Sequence, residues 1–105
     1  HVLTASYDGT AKVWRAADGH LSQTLAAHRS FVTCAEWGLG GELIATGSGD
    51  HDVRLWKHGD DGCHMVLEGH ESWVLALAFS PRDGMLATAG ADRAVIIWDT
   101  RDGKS

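Results

Sequence analysis

The sequence predicts an all-β chain built from repeated four-stranded antiparallel sheets. Three observations lead there: a period of 42 residues, short β-rich runs with turn signals about every ten residues, and no convincing helical period. Trp14, Trp56 and Trp98 recur every 42 residues. So do Asp8, Asp50 and Asp92, then Thr4, Thr46 and Thr88, and Asp18, Asp60 and Asp102. His28 with His70, and Ser30 with Ser72, keep the same interval. Residues 1–42 match residues 43–84 without a gap at nine positions, where average composition gives roughly three by chance.

The elements follow in order within each unit. "FVTCAEW" (Phe31–Trp37) and "WVLALAF" (Trp73–Phe79) occupy the same phase, and their β-branched, aromatic and small residues suit a strand buried on both faces. A turn comes next, "GLGGE" or "SPRDG", where Gly and Pro-Arg-Asp-Gly supply the dihedrals. "LIATGS" and "MLATAG" form the second strand, and "GDHD" and "GADR" the tight turn after it. "VRLWK" and "AVIIWD" form the third, and a polar loop leads to an outer strand, "LSQTL" or "CHMVL". Ten strands result. Four-stranded antiparallel sheets repeated at about 40–45 residues are the blades of a β-propeller.

Composition bounds the function. The 105 residues suffice for one small domain with a modest core, and 44% hydrophobic residues predict a folded chain. Net charge is −5 with both signs interspersed, which argues against a nucleic-acid surface built on bulk charge. No apolar run approaches the roughly 18 residues of a membrane helix. The opening "HVLTASYDGT" lacks the features of a signal peptide and reads as the middle of a strand. Cys34 and Cys63 have no CxxC spacing. Isolated cysteines in apolar alternating segments predict reduced, buried thiols and an intracellular location, cytoplasmic or nuclear, with a disulfide between them as the alternative.

One stretch carries a family resemblance. "GHESWVLALAFSPRDGMLATAGADRAVIIWD" (Gly69–Asp99) resembles a WD-repeat (WD40) unit in its Gly-His opening, Ser-Pro-x-Asp-Gly turn, turn aspartate and closing Trp-Asp. The middle unit departs from the pattern, opening Ala27-His28 and closing Trp56-Lys57, and the first closes Trp14-Arg15. The resemblance implies a hydrogen-bonded tetrad in each blade: His28, Ser48, Asp50 and Trp56 in the middle one. There Asp50 accepts from the His28 ring, and the Ser48 hydroxyl bridges that ring to the Trp56 indole. The first blade offers Ser6, Asp8 and Trp14, with its histidine expected before residue 1. The last offers His70, Asp92 and Trp98, with Gly90 in the serine position, so its tetrad is expected to be incomplete or helped by Thr88. Buried polar groups between packed sheets have to satisfy one another in any case.

Residues 1–25 are expected to form a partial blade, 31–67 a complete one and 73–99 a partial one. Propellers close with about four to eight blades. Two and a half repeats therefore predict a segment of a larger propeller. Closure by copies of this chain is not expected, because each junction would omit two strands.

Asp50, His51 and Asp52 stand side by side, as a metal or proton-transfer site requires. The period separates them. Asp50 is a tetrad residue, whereas His51 aligns with Gly9 and Arg93, an exposed turn position. His58, Cys63 and His64 align with Thr100, Leu21 and Ser22, which form no repeated ligand set. No metal, no cofactor and no catalytic nucleophile or phosphate loop is expected.

Interaction with other proteins is the expected role, on loops held by a rigid scaffold. Tyr7 precedes a turn aspartate, and Arg29 with Phe31 and Glu71 with Trp73 bracket the start of the innermost strand. Tyr, Trp and Arg anchor interfaces. The resemblance implies that these positions line a binding face; the alternative is that Phe31 and Trp73 pack between blades. "WDTR" (Trp98–Arg101) resembles the motif by which some WD-repeat proteins dock to the adaptor of cullin-4 ubiquitin ligases, with Arg101 making the charged contact. The alternative there is an ordinary strand end with an exposed arginine.

Overall fold

The computed structural model describes residues 1–60, 62–80 and 83–105. Pro81 and Arg82 of the expected Ser80–Gly84 turn lie outside the described residues. Ten strands run in order: β1 (Val2–Ala5), β2 (Thr10–Trp14), β3 (Leu21–Ala26), β4 (Val32–Gly38), β5 (Leu43–Ser48), β6 (Val53–Lys57), β7 (Cys63–Leu67), β8 (Val74–Phe79), β9 (Met85–Gly90) and β10 (Val95–Asp99). They form three antiparallel sheets with orders β1-β2-β3, β4-β5-β6-β7 and β8-β9-β10. The chain is all-β, an open array of blades as in a segment of a propeller.

The irregularities repeat with the sequence. Between β4 and β5 the register shifts at Val32/Cys34, and between β8 and β9 at Val74/Ala76. Between β2 and β3 it shifts at Val13/Trp14, and between β6 and β7 at Leu55/Trp56. Each shift leaves one residue unpaired and sharpens the local twist, so equivalent strands bend at equivalent points.

Two apolar layers hold the sheets together. Ala11, Val13 and Leu25 of the first sheet pack with Ile44 and Trp56 of the second. The opposite face of the second sheet presents Leu43, Ala45, Val53 and Leu55 to Val74, Leu77, Leu86 and Trp98 of the third. Every residue of β5 is buried, because both of its faces are covered. Small residues make this possible: a Cβ on Gly47 would lie 2.6 Å from Val74 Cγ1 and 2.7 Å from the Cys34 sulfur.

The innermost strands differ from the expected burial on both faces. β4 is only partly buried along its middle, and Leu75, Ala76 and Ala78 of β8 are exposed. For Ala76 and Ala78 the reason lies in the third sheet, whose outward face has no sheet against it among the described residues. Val95 is 70% exposed there, while its equivalent Val53 is fully buried by the third sheet.

The tight turns share one conformation. Gly9, His51 and Arg93 all have left-handed backbones, with φ of 87°, 77° and 67°. Only the glycine takes this region without steric cost.

Candidate functional site

A chain of buried hydrogen bonds lies in the second and third sheets, and an exposed part of one in the first. In the second, His28 Nδ1 lies 3.0 and 3.2 Å from the Asp50 carboxylate oxygens, and His28 Nε2 lies 2.7 Å from Thr46 Oγ1. Trp56 Nε1 donates to the same hydroxyl at 2.9 Å. The directions follow from the chemistry. An ionised Asp50 only accepts, so Nδ1 carries the proton. Nε2 of the neutral ring then accepts from the Thr46 hydroxyl, which accepts in turn from the indole. All four groups are satisfied with His28 uncharged. Burial pushes the His28 pKa down, outweighing the Asp50 carboxylate that favours the cation. Burial pushes Asp50 up, but the Arg29 and Asp52 backbone N–H groups and the His28 ring hold it below the usual carboxylate range.

The hydroxyl in this chain is Thr46, which corrects the expected Ser48 bridge. Ser48 Oγ donates instead to the Phe31 carbonyl at 2.8 Å and accepts from the Asp50 N–H at 3.2 Å. The two side chains share a face of β5, but two residues separate them by about 6.6 Å along the strand. Thr46 is the one that meets both the Trp56 indole and the His28 ring. The third sheet repeats the geometry: Asp92 oxygens at 3.2 Å from His70 Nδ1, Thr88 Oγ1 at 2.7 Å from Nε2, and Trp98 Nε1 donating to Thr88 at 2.8 Å. Its chain is complete through Thr88, the second of the two expected arrangements, and is not interrupted at Gly90. Gly90 leaves no vacancy, since a Cβ there would come 2.5 Å from Asp92 Oδ1 and 2.6 Å from His70 Nδ1. In the first sheet Trp14 Nε1 donates to Thr4 Oγ1 at 3.0 Å, and Asp8 accepts from the backbone and hydroxyl of Thr10. Ser6 Oγ accepts from the Asp8 N–H, as Ser48 does for Asp50.

The aspartates also hold loops. Asp50 accepts from the Arg29 backbone N–H at 2.8 Å, and Asp92 from that of Glu71 at 2.9 Å. The N–H of Glu71, with those of the Ala94 backbone and the His70 ring, holds the Asp92 pKa down to about 2 against the effect of burial. These loops carry Phe31 and Trp73, so the buried chains position the rim of the blades.

On that rim three aromatic rings touch in a row. Tyr7 and Phe31 have centroids 5.5 Å apart, and Phe31 meets Trp73 edge-on at 5.1 Å. Phe31 packs over Gly49, with its ring 2.8 Å from the place of a Cβ. Tyr7 is 89% exposed and Trp73 50% exposed, whereas Phe31 is half-buried. They border a cleft of about 380 Å³ that also involves Ala5, Val32, Thr33 and Leu75. Arg29 and Glu71 are exposed beside it.

The remaining candidates stand apart. His51 is exposed on its turn. Asp52 is pushed up by burial and by the Asp50 charge, and lies 3.6 Å from Arg54. His58 packs against Trp37 and His1, with ring centroids 5.1 and 4.8 Å away, and the Cys63 thiol points at the Met65 carbonyl. No group of three metal-ligating side chains occurs among the described residues, and both cysteines are free. Arg101 is 77% exposed and grips Asp99 with two bonds, at 2.9 and 2.7 Å. That grip holds Asp99 down to about 2.

Repeated sheets of this size, each threaded by an Asp–His–Thr–Trp chain or part of one, define a blade-repeat protein of the propeller class. The family model for the WD domain, G-beta repeat, matches residues 1–15, 19–57 and 61–99. The chain therefore belongs to the WD40 family, whose repeats are generally protein-interaction scaffolds and typically not catalysts. Among curated proteins none matches the chain. No helix among the described residues is long and apolar enough to cross a membrane.

Proposed function

We propose that this chain is a non-catalytic protein-interaction scaffold within a larger intracellular multiprotein assembly, and that its partner surface is the rim formed by Tyr7, Phe31 and Trp73 with Arg29 and Glu71 beside them. The observation that supports this is the run of touching rings, two of them largely exposed, on the loops of three adjoining blades. Large aromatic side chains left in water cost free energy that a partner recovers, and rigidly held ones lose little entropy on binding. Hydrogen bonds to Asp50 and Asp92 supply that rigidity. Phe31 packs over Gly49 of its own blade and meets one ring from each neighbouring blade.

The test uses the intact protein as bait, beside its Trp73→Ala and Tyr7→Ala variants and a His20→Ala control. Bound proteins are quantified by mass spectrometry, and thermal unfolding checks the fold. A set of proteins that falls at least tenfold with Trp73→Ala and is kept by His20→Ala is the expected result. Equal capture by all variants overturns the choice of surface.

A second reading is favoured by one observation, the exposed Arg101 locked to Asp99. In it the protein is a substrate receptor of a cullin-4-type ubiquitin ligase, docking through Trp98-Asp99-Thr100-Arg101. Only Asp99 and Arg101 could make the contact, since Trp98 is buried on Thr88 and the Thr100 hydroxyl donates to the Gly84 carbonyl. Adaptor binding lost on Arg101→Ala supports it, and no binding by the intact protein removes it.

A further inference from the structure

The rim cleft carries a chemical signature of what it takes. Apart from the Tyr7 phenol, no ionisable side chain among the described residues lines it. Ala5, Val32 and Leu75 join the aromatic rings there. Of its two hydroxyls besides the Tyr7 phenol, Thr33 Oγ1 donates to the Val74 carbonyl, and Ser6 Oγ accepts from the Asp8 N–H. A charged group pushed into this cleft would give up hydration with no counter-ion to replace it. A bulky apolar group would bury itself and part of Tyr7, Trp73 and Leu75, all of them exposed.

Charges of opposite sign flank it. Arg29 stands two residues before Phe31, and Glu71 two residues before Trp73, on loops held identically by Asp50 and Asp92. Both side chains are exposed, and neither joins an ion pair among the described residues. As equivalent positions of successive blades they are offset by one packed sheet, about 10 Å. Extended chain covers that distance in about three residues.

We propose that the cleft receives one bulky, uncharged aliphatic side chain of an extended peptide segment. An acidic residue of that peptide meets Arg29, and a basic residue about three positions away meets Glu71. This specificity rests on the rim being the partner surface. The inserted side chain supplies affinity, and the two charges set the direction in which the peptide lies.

The test is selection of a randomised heptapeptide phage library on the immobilised intact protein. Enriched sequences should share a Leu, Ile, Val or Met with an acid and a base two to four positions apart, in one order. The resynthesised consensus peptide should bind Trp73→Ala at least tenfold more weakly. The exchange variant Arg29→Glu/Glu71→Arg should select the opposite charge order, with circular dichroism and thermal unfolding showing an unchanged fold. A charged residue at the central position, a charge order indifferent to the exchange, or no enrichment overturns the proposal. If cellular partners still depend on Trp73 when the library result fails, the rim stands and the peptide chemistry falls. If partner capture is also independent of Trp73, the rim reading falls with it.

Discussion

Replacing Thr46 by valine removes one hydroxyl and keeps the side-chain shape. That hydroxyl serves two buried groups, the Trp56 indole N–H and His28 Nε2. Trp56 is only 1% exposed, so water does not take over. An unsatisfied buried group costs about 1–3 kcal/mol, and two together about 2–6 kcal/mol. Against a total stability on the order of 5–15 kcal/mol this is a large fraction. Thr46→Ser keeps the hydroxyl and loses one methyl, about 1 kcal/mol. Ser48→Ala loses its bonds to the Phe31 carbonyl and the Asp50 N–H, also about 1 kcal/mol. Urea unfolding followed by tryptophan fluorescence measures all three, provided the denaturant slopes agree. The expected order of damage is Thr46→Val well above Thr46→Ser and Ser48→Ala. A Ser48→Ala cost equal to or above that of Thr46→Val would refute the threonine bridge.

Gly90→Ser, which restores the residue of the first two units, should destabilise by about 1–3 kcal/mol, because its Cβ collides with Asp92 and His70; a gain in melting temperature would contradict the packing. His51→Gly and Arg93→Gly should each stabilise by about 0.5–1 kcal/mol, since both residues sit in the left-handed region, and unchanged or lower unfolding midpoints would deny that strain. Acid should weaken the fold in two steps. The His28 pKa is lowered on folding, so the unfolded chain binds the extra proton first, and stability falls as pH drops through the ordinary histidine range near 6.5. Asp50 and Asp92 are also lowered, so a second loss begins below about 4 and continues toward the Asp92 value of about 2. His28→Gln should flatten the first step in a stability–pH series and leave the second; a first step of undiminished size would exclude His28 as its source.

Most of the architecture was legible in the period of 42. It located ten strands, their turns and the repeated tryptophans, because each blade solves the same packing problem with the same spacing. The bridging hydroxyl was harder. Thr46 and Ser48 lie on one face of one strand, and the first two units carry both residues, so pairing alone does not choose between them. The signal was in the third unit, where Thr88 persists and serine gives way to Gly90. The aromatic rim was legible in part, since residue type and phase marked Tyr7, Phe31 and Trp73. That Phe31 links the other two rings depends on Gly49 and on loop anchoring by Asp50, which spacing does not encode. Burial of β8 was misread for a physical reason. A strand's composition records the environment it suits, and the neighbour that covers it is a tertiary fact.

The buried chains and the rim are joined by two hydrogen bonds, from the Arg29 and Glu71 amides to Asp50 and Asp92. Residue-resolved amide hydrogen exchange on the intact protein and its Asp92→Ala variant tests that link directly. In the wild type the Glu71 amide, on an exposed loop residue, should exchange slowly. In Asp92→Ala its protection should fall at least tenfold, while the β4 and β5 amides of the second sheet keep theirs. A Glu71 amide that exchanges at the same rate in both proteins would contradict the link between core and rim.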